Sequence, residues 1–401
     1  MHRAMTRTRD GVHRRACEAC PLIPWTRMTW RILCVVGARP NFMKIAPMLR
    51  AFANDRRFEA RLVHTGQHYD DKLSKVFFDE LAIPRPEIDL EVGSGTHAHQ
   101  TAEIMKRFEP VLEREQPHGV LVVGDVNSTI ACALVTTKFF RREPFRAFGR
   151  TRKRPLVIHV ESGLRSRDLD MPEEINRMLT DAISDLLFVS EPAGMANLAR
   201  EGVGPDRAVF VGNVMIDTLL AARERAQTSG VLTTLGLREG EYGLVTLHRP
   251  SNVDDVEALQ RLLSTLEGLG VRLVFSVHPR TRQRMMATGT TLDPERWLVC
   301  EPLGYLDFLR LQASSRVVFT DSGGIQEETT VLGVPCITLR ENTERPVTCE
   351  QGTNQLVGTS REAIVAAYRR IDEIRRARRV PENWDGKSAQ RIAAAIADVL
   401  A

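Results

Sequence analysis

The chain lacks what would mark a membrane-spanning, secreted or zinc-stapled protein. No apolar run approaches the ~18 residues of a membrane span. Residues 1 to 27 are Arg-rich and hold no apolar stretch of the ~7–15 residues that a signal peptide needs. They also lack a hydrophobic period. They read as a disordered extension, or as an upstream start taken for coding, with Met28 as the true beginning. Cysteine is scarce, with seven in 401 residues. Cys17 and Cys20 make a lone CxxC without the second pair that would complete a zinc site. Cys34, Cys132 and Cys336 lie in apolar strand or helix patterns and read as buried thiols in a reducing cytoplasm. Charge of one sign is not in excess either, since the net +4 is modest for this size. Neither nucleic acid nor a membrane is expected as a partner. What remains is 43% hydrophobic and 26% charged, an ordinary globular composition on a chain too long for one core.

Short apolar runs alternate with helical patterns along two series. The first holds Ile32 to Val36, Ala60 to Thr65, the VLVVG run before Asp125, and the strand that ends at Val160. The second opens near Ala208, with strands at about Val209 to Val211, Leu244 to Leu247, Val271 to Val277, Trp297 to Cys300, Val317 to Thr320 and Val334 to Leu339. Alternation of this kind predicts an α/β protein with two Rossmann-like, doubly wound parallel sheets. The expected domains are 28–203 and 204–382, with 383–401 as a helix crossing back onto the first.

Two places read as anion seats. In DSGGIQEE a buried strand turns at Asp321 and Ser322, both good N-caps, and passes through Gly323 and Gly324 into a helix. The glycines let backbone approach a ligand, and the helix start offers unpaired N–H groups. Glu327 and Glu328 are expected in the first turn, about 100° apart, so that at most one faces the ligand. In GARPNFMK, Arg39 and Lys44 stand at a helix entrance, where cations have the wrong sign for the dipole. An anion shared by both resolves that conflict; a solvated pair of charges is the plainer reading.

Acids gather at one edge. Asp125 follows the VLVVG strand, with Asn127, Ser128 and Thr129 capping the next helix. Glu161 follows the strand ending at Val160, and Glu173 opens a helix after Pro172, where Arg177 would pair with it. Ligands bind at the carboxyl ends of parallel strands. Clustered carboxylates raise one another's pKa, which equips one of them to hold a proton at neutral pH. His248 and His278 end two strands of the second series; with Arg249 beside it, His248 suits a diphosphate.

Other signals lead nowhere. Residues 93–98, GSGTHA, imitate a dinucleotide fingerprint, but no acid ends a strand about 20 residues on. The arginine-dense stretch from Arg141 to Arg154 reads as a solvated insertion.

Taken together, GARPNFMK, GDVNST, HVESGLRS, PEEINR, TLHRPSN, DSGGIQEE and TERP, in that order from Met28 to the C-terminus, resemble the non-hydrolysing UDP-N-acetylglucosamine 2-epimerases. The resemblance implies a GT-B-like fold, two Rossmann-like domains facing across a cleft that holds the nucleotide sugar. It implies an isomerase that interconverts UDP-N-acetylglucosamine and UDP-N-acetylmannosamine by anti elimination and re-addition of UDP, without cofactor or metal. Cell-surface polysaccharide synthesis in the cytoplasm by a homodimer comes with it. By matching motif, Asp125, Glu161 and Glu173 are the acid–base carboxylates. Arg39, Lys44 and His248 engage the phosphates over a cradle of Ser322, Gly323 and Gly324. Glu328 takes the ribose, Phe308 lies at the uracil, and Arg345 lies near the substrate. Asn41 stands where many members have an acid. Tyr69 follows His68 where members activated by a second substrate molecule carry arginine. This argues against such activation and leaves room for a modified sugar, such as a 2,3-diacetamido uronic acid. A hydrolysing epimerase, a GT-B glycosyltransferase and a non-catalytic nucleotide-sugar sensor are the remaining alternatives.

Overall fold

A computed structural model describes residues 29–66, 78–277 and 279–401, without the side chains of residues 39, 279 and 280. The basic extension with Cys17 and Cys20, the His68–Tyr69 departure, His278 and the side chain of Arg39 lie outside what is described.

The strands in chain order are β1 (Trp30–Val36), β2 (Phe58–His64), β3 (Ile88–Asp89), β4 (Gly119–Val123), β5 (Phe145–Ala147), β6 (Arg150–Arg152), β7 (Leu156–Ser162), β8 (Leu186–Val189) and β9 (Ala208–Phe210). All but β5 and β6 join one sheet in the order β3-β2-β1-β4-β7-β8-β9, with parallel pairing throughout. Parallel strands covered on both faces are near-continuous apolar runs. β4 and β7 are buried at every position, and the polar exceptions in β7 are His159, Glu161 and Ser162 toward its carboxyl end. A second sheet follows from β10 (Tyr242–Thr246), β11 (Arg272–Ser276), β12 (Trp297–Cys300), β13 (Val317–Thr320), β14 (Cys336–Thr338) and β15 (Asn354–Leu356). Its order is β12-β11-β10-β13-β14-β15, again parallel. Each order reverses beside its first strand, between β1 and β4 and between β10 and β13. Such switch points open a crevice at the strands' carboxyl ends.

Three expectations change. The strand assigned to the second series near Val209 pairs with β8, Leu187 opposite Ala208, and so closes the first sheet. The basic stretch is a hairpin, β5 against β6. Its Phe145 and Ala147 are buried, and Phe148 N–H donates to the Val399 carbonyl (2.9 Å). The capping residues also differ. Val126 precedes the helix Asn127–Lys138 with no side-chain cap, and Asn127 donates instead to Gln100 (2.8 Å).

Helices tie the two sheets together. The helix Val214–Gln227 packs against Arg39–Ala53 from the first unit and against Tyr305–Ser314 and Gly323–Leu332 from the second. The helix Ser388–Leu400 lies along Arg39–Ala53, and its Ile392, Ile396 and Leu400 join the core beneath the first sheet. Its first amides, Ser388 and Ala389, are held by the Asp217 carboxylate at 3.1 and 2.8 Å.

Candidate active site

The first-sheet crevice is built on short turns. After β1, Gly37 and Ala38 N–H donate to the Asn41 side-chain oxygen (3.2 and 3.0 Å), while its amide nitrogen donates to the Val123 carbonyl ending β4 (3.1 Å). An acid at this position could not make that last bond, which gives the asparagine a physical reason. Gly124 then turns with φ +66, and a Cβ there would sit 2.9 Å from Lys44 Nζ. The glycine therefore makes room for the lysine.

Lys44 is buried and ion-pairs with Glu161. Glu161 itself is buried and has φ +70, at an irregular step in the β7–β8 register. A glutamate in the left-handed region is strained, and such strain persists only where surroundings impose it. Beneath it, His159 bridges the Gly124 carbonyl (2.8 Å) and Asp181 (2.7 Å), and Asp181 also holds Gly163 N–H (3.0 Å) and Arg165 (2.7 Å). This wholly buried network fixes the turns that present Asp125 and Glu161.

Asp125 receives Arg177 Nη2 at 2.6 Å. The other arm of Arg177 goes to Glu174, which also accepts from Ser166 and Arg167 N–H (3.1 and 2.9 Å). The partner expected for Glu173 is thus taken by its neighbour. Glu173 is half-buried and forms no hydrogen bond or ion pair among the described residues. Burial would raise the Asp125 carboxyl, but Arg177, Lys44 and Arg345 together hold it below the usual range. At Asp125 the expected rise in pKa is reversed, because cations rather than acids face it.

The second sheet delivers its groups at β10 and β13, where Thr246 lies opposite Thr320. Asp321 does not cap the helix that follows. Its carboxylate accepts from His248 and Arg249 N–H (3.0 Å each) and Asn252 Nδ2 (3.1 Å), and it meets His248 Nδ1 at 2.7 Å. The His248 ring, 49% exposed, therefore keeps Nε2 for the cleft. Ser322 makes no side-chain cap either. The first amides of Gly323–Leu332 are left for another acceptor. Because that helix starts at Gly323, Glu327 and Glu328 fall in its second turn and not the first, and both are buried. Glu328 accepts from Tyr305 Oη at 3.3 Å, and burial pushes its carboxyl up to about 7. Tyr305 and half-buried Phe308 share the helix Tyr305–Ser314, whose Tyr305 N–H is capped by Glu80 of the first unit (2.6 Å).

Arg345 joins the two halves. It reaches Glu327 (2.6 Å) and Glu344 (3.3 Å) on its own side and Glu161 across the cleft (2.9 Å). Glu344 is also gripped by Arg340 at 2.7 and 3.1 Å; against burial, these arginines pull its carboxyl down to about 2. A Cβ on Gly323 would lie 2.5 Å from Arg345 Nη1, whereas one on Gly324 would meet only Met215 at 3.6 Å. Gly323 thus seats the arginine, and Gly324 alone leaves open backbone.

Thus Lys44, Asp125, Glu161, Glu327 and Arg345 converge, with His248, Ser322, Gly323 and Gly324 on the facing edge and Glu328 with Phe308 beyond. Sequence reasoning missed two groups. Glu191, 1% exposed at the end of β8, carried the signal of an acid placed between a buried strand and Pro192. Glu327 was passed over in favour of Glu328.

Two parallel sheets of one strand order, meeting at anion-accepting turns and acids, define a nucleotide-sugar enzyme of the GT-B-like fold class. At the level of fold alone the class extends to the sucrose-phosphate synthase of Thermosynechococcus elongatus, with TM-score 0.55 and 12% identity. The chain belongs to the UDP-N-acetylglucosamine 2-epimerase family, whose model matches residues 50–397. It is 38% identical to the UDP-N-acetylglucosamine 2-epimerase of Methanocaldococcus jannaschii over 377 residues, 90% of this chain and 97% of that one. It is 39% identical over 346 residues to the UDP-2,3-diacetamido-2,3-dideoxy-D-glucuronate 2-epimerase of Pseudomonas aeruginosa, covering 84% of this chain and 91% of that one. The crystal structure of the M. jannaschii enzyme in complex with UDP-GlcNAc and UDP is similar at TM-score 0.82 and 37% identity, covering 92% of this chain and 99% of that one. The chain is accordingly an isomerase.

Proposed function

We propose that this protein interconverts UDP-N-acetylglucosamine and UDP-N-acetylmannosamine without a nicotinamide. The observation that carries the reading is the Lys44–Glu161–Arg345 bridge, where an acid–base group and two cations from facing domains share one point. In the first half-reaction a carboxylate among Asp125, Glu161 and Glu173 takes the proton from the sugar's second carbon. The C1–O bond breaks with its electron pair going to the diphosphate, and a C1=C2 double bond forms. In the second half UDP adds back and the proton returns on the other face. The leaving group is anionic, so fixed positive charge and N–H dipoles supply most of the stabilisation. Arg39, Lys44, His248 and the amides at Gly323 and Gly324 are suited to that task. Of the expected cradle, the Ser322 amide already donates to Thr320 Oγ1 (3.0 Å), which leaves its hydroxyl. Glu328 is suited to the ribose hydroxyls, Phe308 to the uracil, and Arg345 to the substrate beside Glu161.

The test is proton NMR in heavy water with UDP-N-acetylglucosamine and no added NAD. Solvent deuterium should enter the second carbon as the mannosamine epimer appears. Retention of the original hydrogen would overturn the elimination route. Release of free N-acetylmannosamine with UDP would mark a hydrolysing enzyme. A second reading, a 2,3-diacetamido uronic acid nucleotide as substrate, is favoured by the 39% identity to the P. aeruginosa enzyme. Competition between the two nucleotides for one preparation separates them by kcat/KM.

A homodimer is supported by the helix Pro172–Ile183, whose Ile175, Met178 and Leu179 are 40%, 39% and 51% exposed. Light scattering on the purified chain tests it. The unpaired thiols of Cys34, Cys132 and Cys336 suit a reducing cytoplasm, and no helix among the described residues is long and apolar enough to cross a membrane. In that compartment the product would serve cell-surface polysaccharide synthesis.

A further inference from the structure

Two carboxyls on the cleft wall have no part in the reaction above. Glu191 stands at the edge of the first sheet, between β8 and the helix Pro192–Arg200. Glu327 lies in the second turn of Gly323–Leu332, beneath the second. Each is 1% exposed. Oε1 of Glu191 and Oε2 of Glu327 are buried without a hydrogen-bond partner among the described residues. An ionised carboxylate tolerates that poorly, because desolvation is not offset by donors.

The cations around them are shared among other acids. Arg345 serves Glu161, Glu327 and Glu344; Lys44 serves Glu161; Arg340 serves Glu344. Arg249 also reaches Glu344 (3.7 Å), so each of these three acids has a cation, whereas Glu191 forms no ion pair among the described residues. Arg345 acts on its charge favourably, while Glu327, Glu350 and Glu161 act against it. Burial, helped by those acids, pushes the Glu191 carboxyl up to about 8. Burial also raises Glu327, with Glu161 adding and Arg345 and Lys44 opposing.

A diphosphate in the cleft, as the proposed function requires, competes for the same two cations. Each charge it draws from Glu161 or Glu327 leaves a buried anion less compensated, and such a group takes up a proton. We propose that Glu191 and Glu327 form a proton store across the domain seam, filled from solvent as a bound diphosphate draws Arg345 and Lys44 off the carboxylates. Nucleotide binding and proton uptake are then one event. Arg345 bridges Glu327 and Glu161 (2.6 and 2.9 Å), so the stored proton lies one guanidinium away from the carboxylate it can serve.

The experiment is calorimetric titration of the full chain with UDP at pH 8, in HEPES and in Tris. The change of binding enthalpy with buffer ionisation enthalpy counts protons. UDP's terminal phosphate, with a pKa of about 6, is already ionised there. Uptake of about one proton per UDP is expected. Glu191→Gln and Glu327→Gln should each lower the count, and the double variant should bring it near zero. A merely structural role would alter affinity and melting while leaving the count in place. No buffer dependence in the unaltered protein with UDP bound overturns the proposal, as does an unchanged count in the double variant. Failure of UDP to bind sinks this proposal together with the proposed function. UDP binding with uptake but without epimer formation sinks the latter only.

Discussion

The seat of Arg345 offers a test whose size follows from the geometry. In a Gly323→Ala variant the new methyl would lie 2.5 Å from Nη1 and 3.0 Å from Cζ, whereas non-bonded carbon contacts settle near ~3.5 Å. The guanidinium must retreat by about 1 Å, since the methyl sits on a helix. The contact from Nη2 to Glu161, now 2.9 Å, then passes the limit of a useful hydrogen bond. Losing a charge-assisted bond in a buried site costs about 1.5–3 kcal/mol. Alanine in place of glycine returns up to about 1 kcal/mol of helix propensity. A net loss of about 1–2 kcal/mol is expected. For Gly324→Ala the nearest atom, Met215 Cε at 3.6 Å, is in ordinary contact, so the propensity gain stands unopposed. Thermal unfolding should therefore separate the two variants by several degrees, Gly323→Ala melting lower. Steady-state kinetics should show kcat/KM reduced by about 10–100-fold in Gly323→Ala. In Gly324→Ala the methyl should weaken UDP binding while leaving the fold intact. Equal melting of the pair, with full activity in Gly323→Ala, would refute the assignment of Gly323 to the arginine's seat.

Amide substitutions at Asp125, Glu161 or Glu173 should cut turnover by about two to four orders of magnitude. UDP affinity, measured alongside, should change much less; its collapse in all three folded variants would make these acids binding groups. Glu191→Gln should change how stability varies with pH. The folded pKa of about 8 lies above the ordinary 4.5, so the native state holds more protons between them and stability falls as pH rises through that window. Glutamine removes the loss, so the variant's melting advantage should be absent at pH 5 and grow toward pH 9, reaching on the order of a few kcal/mol; a constant offset would disprove it. With Tyr69 in place of the arginine, rates should depend hyperbolically on UDP-N-acetylglucosamine. The reverse reaction should also start without a lag, and a lag abolished by a trace of the forward substrate would contradict this.

Much of the molecule was legible because its signals are local. Buried strands of four to seven residues between glycine turns and helix patterns gave both sheets, and the strand-end positions of Asp125, Glu161 and His248 followed from them. What was not legible depends on distance in space. Nothing in PEEINR says that Glu174, not Glu173, turns inward to Arg177. Nothing in HVESGLRS announces a glutamate at φ +70, since that conformation is imposed by the Asp181–His159 network beneath it. The edge strand β9 was assigned to the wrong sheet for a related reason: three residues at a domain junction satisfy either neighbour equally well until the tertiary structure chooses. Of the acids with raised pKa, Glu191 and Glu327 were missed because clustering in sequence says nothing about which acids draw the cations.

The helix Ser388–Leu400 has a consequence for how the molecule comes into being. Domains emerging from the ribosome fold as units, N-terminal first. Here the core under the first sheet needs Ile392, Ile396 and Leu400, and the β5–β6 hairpin docks on Val399. That core stays open, with an apolar groove along Arg39–Ala53, through the whole synthesis of the second unit. The nascent first half is therefore a client for chaperones, and expressing it alone should yield an aggregating fragment. Native activity should appear only after the far end of the chain has been made and has threaded back.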